Sequence, residues 1–165
     1  MRRTVAALGI EHIAEEAESD GEGGYQLTGH PEVRALFVDN NPRLVQLLRE
    51  RVEQWDLNRT IAVQAYLFGP EPPCDTAPFF TAGIPSVCHI SGPLYIFDPY
   101  DTIDKVRVED LPRVAGLFED LIRSLDDIAA VDLEAGLTRR RGDPPAAPAP
   151  WFLPPEAYAQ QRGKR

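Results

Sequence analysis

The chain has 165 residues, of which 43% are hydrophobic, with 17 basic and 26 acidic side chains. That length and composition suit one domain with its own core. The net charge of −9 excludes a nucleic-acid binder driven by phosphate neutralisation, and no run of about 18 apolar residues allows a transmembrane helix.

The charge is unevenly spread. From Thr138 onward lie Arg139, Arg140, Arg141, Arg162, Lys164 and Arg165, against only Asp143 and Glu156. Of the 17 basic and 26 acidic groups, residues 1–137 therefore keep 11 and 24, a net of −13. This pattern reads as an acidic folded body, 1–137, followed by a solvated Pro/Ala/Arg-rich tail, 138–165. The basic start, Arg2 and Arg3, leads into an apolar run that stops at Glu11. No small-residue cleavage site follows, so a first strand is expected rather than a signal peptide, and a cytoplasmic location for the chain as it stands.

Thr4–Ile13, with Val5, Leu8, Ile10 and Ile13, fits a buried strand or a short helix. The acidic stretch Glu15–Gly24 ends in Gly-Glu-Gly-Gly and is expected to be an exposed turn or loop. Val33–Asp39 is a second strand candidate. The segment from Asn40 to Trp55 predicts a helix. Asn40 or Asn41 is its cap, Pro42 sits in its first turn, and Leu44, Leu48, Val52 and Trp55 share one face. Thr60–Phe68 is a third strand candidate. Gly69–Asp75 carries three prolines and predicts a rigid loop. Thr76–Ala82 predicts a short helix ended by Gly83, and Ile84–Ile90 a strand with a buried centre. Glu109–Leu125 places Leu111, Val114, Phe118, Leu121 and Leu125 at helical spacing. Gly142–Pro155 is rich in proline and predicts an extended or disordered segment. Strands alternating with amphipathic helices indicate an α/β domain with a mixed, largely parallel sheet and helices on both faces.

The two cysteines, Cys74 and Cys88, do not make a disulfide framework or a Cys-x-x-Cys motif. A lone disulfide and two free thiols are both compatible with the sequence; a reducing compartment favours the thiols. His30, before Pro31, reads as a surface residue, and His89, inside a predicted strand, as a hydrogen-bonded core or rim histidine. Asp75 is placed to cap the short helix, and Asp101 with Thr102 to order the following loop. No Gly-x-Ser-x-Gly, P-loop or Gly-x-Gly-x-x-Gly pattern occurs.

The segment Asp75–Pro85, a strand, then Pro99–Val106 and a helix, resembles the C-terminal part of zinc aminopeptidases of metallopeptidase family 28. That group also contains glutaminyl cyclases and noncatalytic receptor ectodomains. The family form reads roughly S-D-H-x-P-F, A-G-I-P, then Y-H-T-P-x-D-T-x-D-K. Asp75, Pro78, Phe79, Ala82, Gly83, Ile84, Pro85, Pro99, Asp101, Thr102, Asp104 and Lys105 match it. A weaker match pairs Leu8–Ala14 with an apolar strand ending in N-[LI]-D-M-[IV]-G. The resemblance spans about residues 4–127.

The resemblance implies a partial three-layer α/β/α sandwich of the zinc-exopeptidase kind and hydrolysis of the bond after a free peptide N-terminus. Two zinc ions there activate a bridging water, with a Glu as general base. Glu11 matches a strand-end zinc ligand. Phe97 stands where the last histidine ligand stands, and Thr76 replaces the histidine of S-D-H. Asp98, beside Phe97, offers an oxygen. The other ligands are expected in a segment preceding the matched region. The resemblance thus implies a domain portion that is catalytically incomplete as it stands, needing a missing N-terminal half, or a noncatalytic scaffold for binding or assembly. A small independent α/β binding domain is the third reading. Asp75, Tyr95, Phe97 and Asp101 are the candidate pocket or loop residues, and the apolar loop Ser91–Pro99 is expected to close a pocket or meet a partner. Peptide substrate and self-association are the expected partners.

Overall fold

The computed structural model describes residues 4–68 and 71–144. Its elements run β1 (Ala7–Ile10), β2 (Glu15–Ser19), β3 (Tyr25–Pro31), β4 (Arg34–Val38), α1 (Pro42–Gln54), β5 (Thr60–Gln64), α2 (Ala77–Thr81), β6 (Ser86–Ser91), α3 (Leu111–Asp126) and α4 (Ala130–Leu133). Four strands form one sheet in the order β1-β6-β4-β5. β1 pairs parallel with β6, β6 antiparallel with β4, and β4 parallel with β5. The domain is therefore α/β with a mixed, largely parallel sheet.

Alternation sets the two faces of this sheet. Leu36 and Val38 of β4 and Val87 of β6 point to one face, where they pack with Leu44 and Leu48 of α1 and Val114, Leu117, Phe118 and Leu121 of α3. The spacing that predicts both helices is the spacing of those contacts. Asn41 caps α1: its Oδ1 accepts the Leu44 N–H at 2.9 Å, while its Nδ2 donates to the carbonyls of Asp132, Leu133 and Ala135. One buried side chain thereby ties the start of α1 to the end of α4. At the mouth of this layer the buried Arg34 pairs with Asp110, which also meets Arg107 Nε at 3.1 Å.

Several sequence expectations are corrected. Glu15–Gly24 is not a loop: Glu15–Ser19 is a strand paired antiparallel with Tyr25–Pro31. Its acidic side chains lie outward, while Ala17 is buried against Tyr95, Tyr25 and Leu27. Only the tip is a turn, where Asp20 Oδ1 accepts the N–H groups of Glu22 and Gly24, each at 2.8 Å. The strand expected over Thr60–Phe68 stops at Gln64, opposite Val38, the last residue of β4. Without a partner beyond it, Ala65–Phe68 winds into a 3-10 turn. Asp75 does not cap α2. Thr76 holds the N-cap position and makes no side-chain cap bond; its hydroxyl lies 3.3 Å from Cys74 Sγ instead.

Gly83 ends α2 as expected. Its φ is +68°, and a Cβ there would come within 2.3 Å of the Arg140 backbone. That approach belongs to residues 138–144, which bond to the body: the Thr138 N–H donates to Asp39 at 3.2 Å and Arg139 Nε to the Thr81 carbonyl at 2.9 Å. The rest of the expected tail, 145–165, and Gly69 and Pro70 of the proline loop, lie outside the described residues. No helix among the described residues is long and apolar enough to cross a membrane.

Candidate functional site

The parallel pairing of β1 with β6 sets Gly9 opposite Cys88 and Ile10 opposite His89. Glu11 then emerges at the C-terminal end of β1, its N–H still bonded to the His89 carbonyl at 2.8 Å. Ligand sites in open α/β sheets favour this end of the parallel strands. Because Val87 faces α1 and α3, Cys88 faces the opposite side of the sheet. There the loop before α2 brings Cys74 alongside.

The three side chains meet closely. Glu11 Oε1 accepts the Asp75 N–H at 2.6 Å and the Cys88 S–H at 2.8 Å. Cys74 Sγ lies 3.3 Å from Thr76 Oγ1. One carboxylate oxygen of Glu11 and both sulfurs lie within 4.8 Å of one another. Neither sulfur is in a disulfide. Its hydrogen bond with Cys88 draws the Cys74 thiol down to about 7, despite burial. The same bond, burial and the Glu11 carboxylate push the Cys88 thiol up. The pair thus holds one proton far more tightly than the other.

Beside this cluster opens a cavity of about 600 Å³. Its carboxylates are Glu11, Glu71 and Asp75, and its apolar wall is made by Pro72, Pro73, Pro78, Ile90, Ile96 and Phe97. Phe97 is 88% exposed and holds φ +65°, and His12 holds φ +47°. Their rings meet edge to face at 6.2 Å. Two non-glycine residues in left-handed backbone on one rim form a local concentration of strain of the sort that gathers at functional sites. The buried Nδ1 of His12 has no hydrogen-bond partner among the described residues.

The structure brings together three of the residues singled out from sequence: Glu11, Asp75 and Phe97. It takes three others elsewhere. Tyr95 is fully buried and its hydroxyl donates to the Glu15 carbonyl at 2.6 Å. Asp98 Oδ1 accepts the Tyr100 N–H at 3.0 Å. Asp101 donates its N–H to the Asp98 carbonyl at 2.9 Å, and the loop is braced instead by Thr102, Asp104 and Lys105. His30 is exposed, on β3. His89 is a core histidine whose Nδ1 lies 3.2 Å from the Glu11 carbonyl; burial draws its pKa down. The role of Cys74 and Cys88 was not legible, because no metal-type spacing joins them.

The fold and site define an α/β domain with an acidic, partly apolar cavity at the C-terminal ends of two parallel strands. No protein-family model, curated protein or solved structure matches the chain.

Proposed function

We propose that the cavity binds the amino-terminal end of a peptide, in a domain portion of the zinc-aminopeptidase kind that is catalytically incomplete as it stands. The observation that carries this reading is the convergence on one cavity of Glu11, Asp75 and Phe97, residues at three separate positions that align with the family's motifs, Phe97 in place of its histidine. Three carboxylates beside it suit an α-ammonium group, and the proline and isoleucine wall suits the first side chain. The finer fold reading, a three-layer zinc-exopeptidase-like sandwich, is supported by α1 and α3 on one sheet face and by Thr76, at the start of α2, against Gly9 on the other.

The residues present do not fit the family's two-zinc centre. Glu11 is the one matched ligand, Phe97 has no donor atom, and Asp98, whose Oδ1 accepts the Tyr100 amide, does not line the cavity. A co-catalytic pair needs several ligands from separate elements, so no hydrolytic step is assigned to these side chains.

A noncatalytic binding scaffold is the second reading, favoured by the exposed, left-handed Phe97. Among the described residues both outer strands of the sheet, β1 and β5, have a neighbour on one side only, which supports self-association. Light scattering across a concentration series checks that point; a monomer throughout refutes it.

Calorimetric titration separates the readings. A dipeptide amide with a free amino group and an apolar first residue should bind, and its N-acetylated form at least about tenfold weaker, or about 1.4 kcal/mol. Equal binding of both, or of neither, refutes the amino-end reading. Turnover of an aminoacyl anilide by the chain alone refutes its catalytic incompleteness.

A further inference from the structure

We propose that Glu11, Cys74 and Cys88 form a single-ion site for a thiophilic divalent cation, Zn²⁺ by its ligand chemistry, open to the cavity at the fourth position. The site differs from the family's two-zinc centre, since two of its three ligands are thiols that the matched motifs do not include. It also stands apart from the peptide-binding reading, because it rests on ligand geometry alone.

Three donor atoms from three separate elements meet here: the end of β1, the loop before α2, and the middle of β6. All lie within 4.8 Å of one another. Tetrahedral zinc, with Zn–S about 2.3 Å and Zn–O about 2.1 Å, sets sulfurs about 3.8 Å apart and sulfur from oxygen about 3.6 Å. The 2.8 Å separation of Cys88 Sγ from Glu11 Oε1 must open by about 0.8 Å to reach that spacing. A small rotation of the half-buried Glu11 side chain supplies it, since Glu11 is the less confined partner.

Two further features belong to a built site. The Asp75 N–H orients the Glu11 carboxylate, and the Thr76 hydroxyl touches Cys74 Sγ, as outer-shell partners orient metal ligands. Glu11 makes no ion pair among the described residues. A carboxylate and two potential thiolates therefore converge without a side-chain cation to balance them. Soft sulfur donors select zinc over magnesium or calcium, which prefer all-oxygen shells. Three protein ligands leave a coordination position, and Glu11 and Cys74 both line the cavity it would face.

The test uses the full chain, without a histidine tag, purified in a non-thiol reductant and titrated with Zn²⁺ and Co²⁺. The expected result is one equivalent bound, with a thiolate-to-cobalt charge-transfer band and the intense visible bands of tetrahedral cobalt. Cys74→Ser, at a half-buried loop position, should abolish the charge-transfer band in part and weaken binding by more than roughly 100-fold, beyond the loss typical of an outer-shell change. Glu11→Gln should keep the sulfur band and weaken binding. Near-ultraviolet circular dichroism checks that both variants fold. On the wild-type chain, Zn²⁺ should slow alkylation of the half-buried Cys74, read by mass spectrometry. A weak octahedral cobalt spectrum, unchanged Cys74 alkylation, or an unaltered Cys74→Ser titration overturns the site. Peptide titration without metal is scored separately, so either proposal can fail alone.

Discussion

Gly9 tests the packing that creates the site, because elementary expectations for Gly9→Ala point in opposite directions. In a strand, glycine is usually less stable than alanine by roughly 0.5–1 kcal/mol, owing to the entropy it loses on folding. Gly9, however, faces the side of the sheet that holds the thiols. A Cβ there would lie 2.8 Å from Thr76 Cγ2 and 2.9 Å from Cys88 Sγ. Ordinary contact between such atoms is about 3.5–4.0 Å, so the neighbours must retreat by roughly 0.6–1.2 Å. Neither moves freely: Thr76 is buried at the start of α2, and Cys88 is fully buried in β6 between β1 and β4. Overpacking a confined site costs roughly 1–3 kcal/mol, which outweighs the entropic gain. The expected net loss is about 1–2 kcal/mol. With a urea slope of about 2 kcal/mol/M, the midpoint should fall by about 0.5–1 M at unchanged slope. Displacement of Cys88 Sγ should also weaken cobalt binding. A Gly9→Ala protein as stable as the wild type refutes the reasoning.

Other outcomes follow from buried groups. Asp110→Ala leaves Arg34, 3% exposed, without its carboxylate, and should cost about 3–5 kcal/mol. The double replacement Arg34→Met, Asp110→Leu should cost less than Asp110→Ala; urea unfolding of both decides, and a loss under about 1 kcal/mol for the single change contradicts a buried ion pair here. Burial, with Asp101, Glu32 and Glu15 nearby, pushes the Tyr95 hydroxyl up to about 12 from the ordinary value of 10.0. Its folded form holds the proton more tightly, so the associated stability is complete below pH ~10 and is lost as pH rises through about 12. Tyr95→Phe should lose about 1 kcal/mol at neutral pH, with its bond to Glu15, yet decline less than the wild type across that alkaline window. Parallel alkaline unfolding curves contradict it.

The long helices were legible because each carries its burial in its own periodicity: Leu44 and Leu48 in one, Val114, Leu117 and Leu121 in the other. The β2–β3 hairpin was hidden by its glutamates, since Ala17, Tyr25 and Leu27 mark its inward face without a regular alternation. The buried strand expected over Ile84–Ile90, which forms at Ser86–Ser91, showed itself, but its neighbours did not. Glu11, Asp75 and Phe97 were found through matched motifs, whereas Tyr95 looked like a pocket residue because a loop aromatic reads the same whether it lines a cavity or fills a core.

What the sequence determined by itself is local: which segments wind into helices, which extend, and where Asn41 and Gly83 stop or start them. Those choices depend on backbone preference and on side chains a few residues apart. The tertiary structure alone decided that β1 lies parallel to β6 and that the loop before α2 folds over them. Register between distant strands is set by main-chain hydrogen bonds and by which face must be buried, and neither leaves a periodic trace in one segment. Glu11, Cys74 and Cys88 become neighbours only through that register.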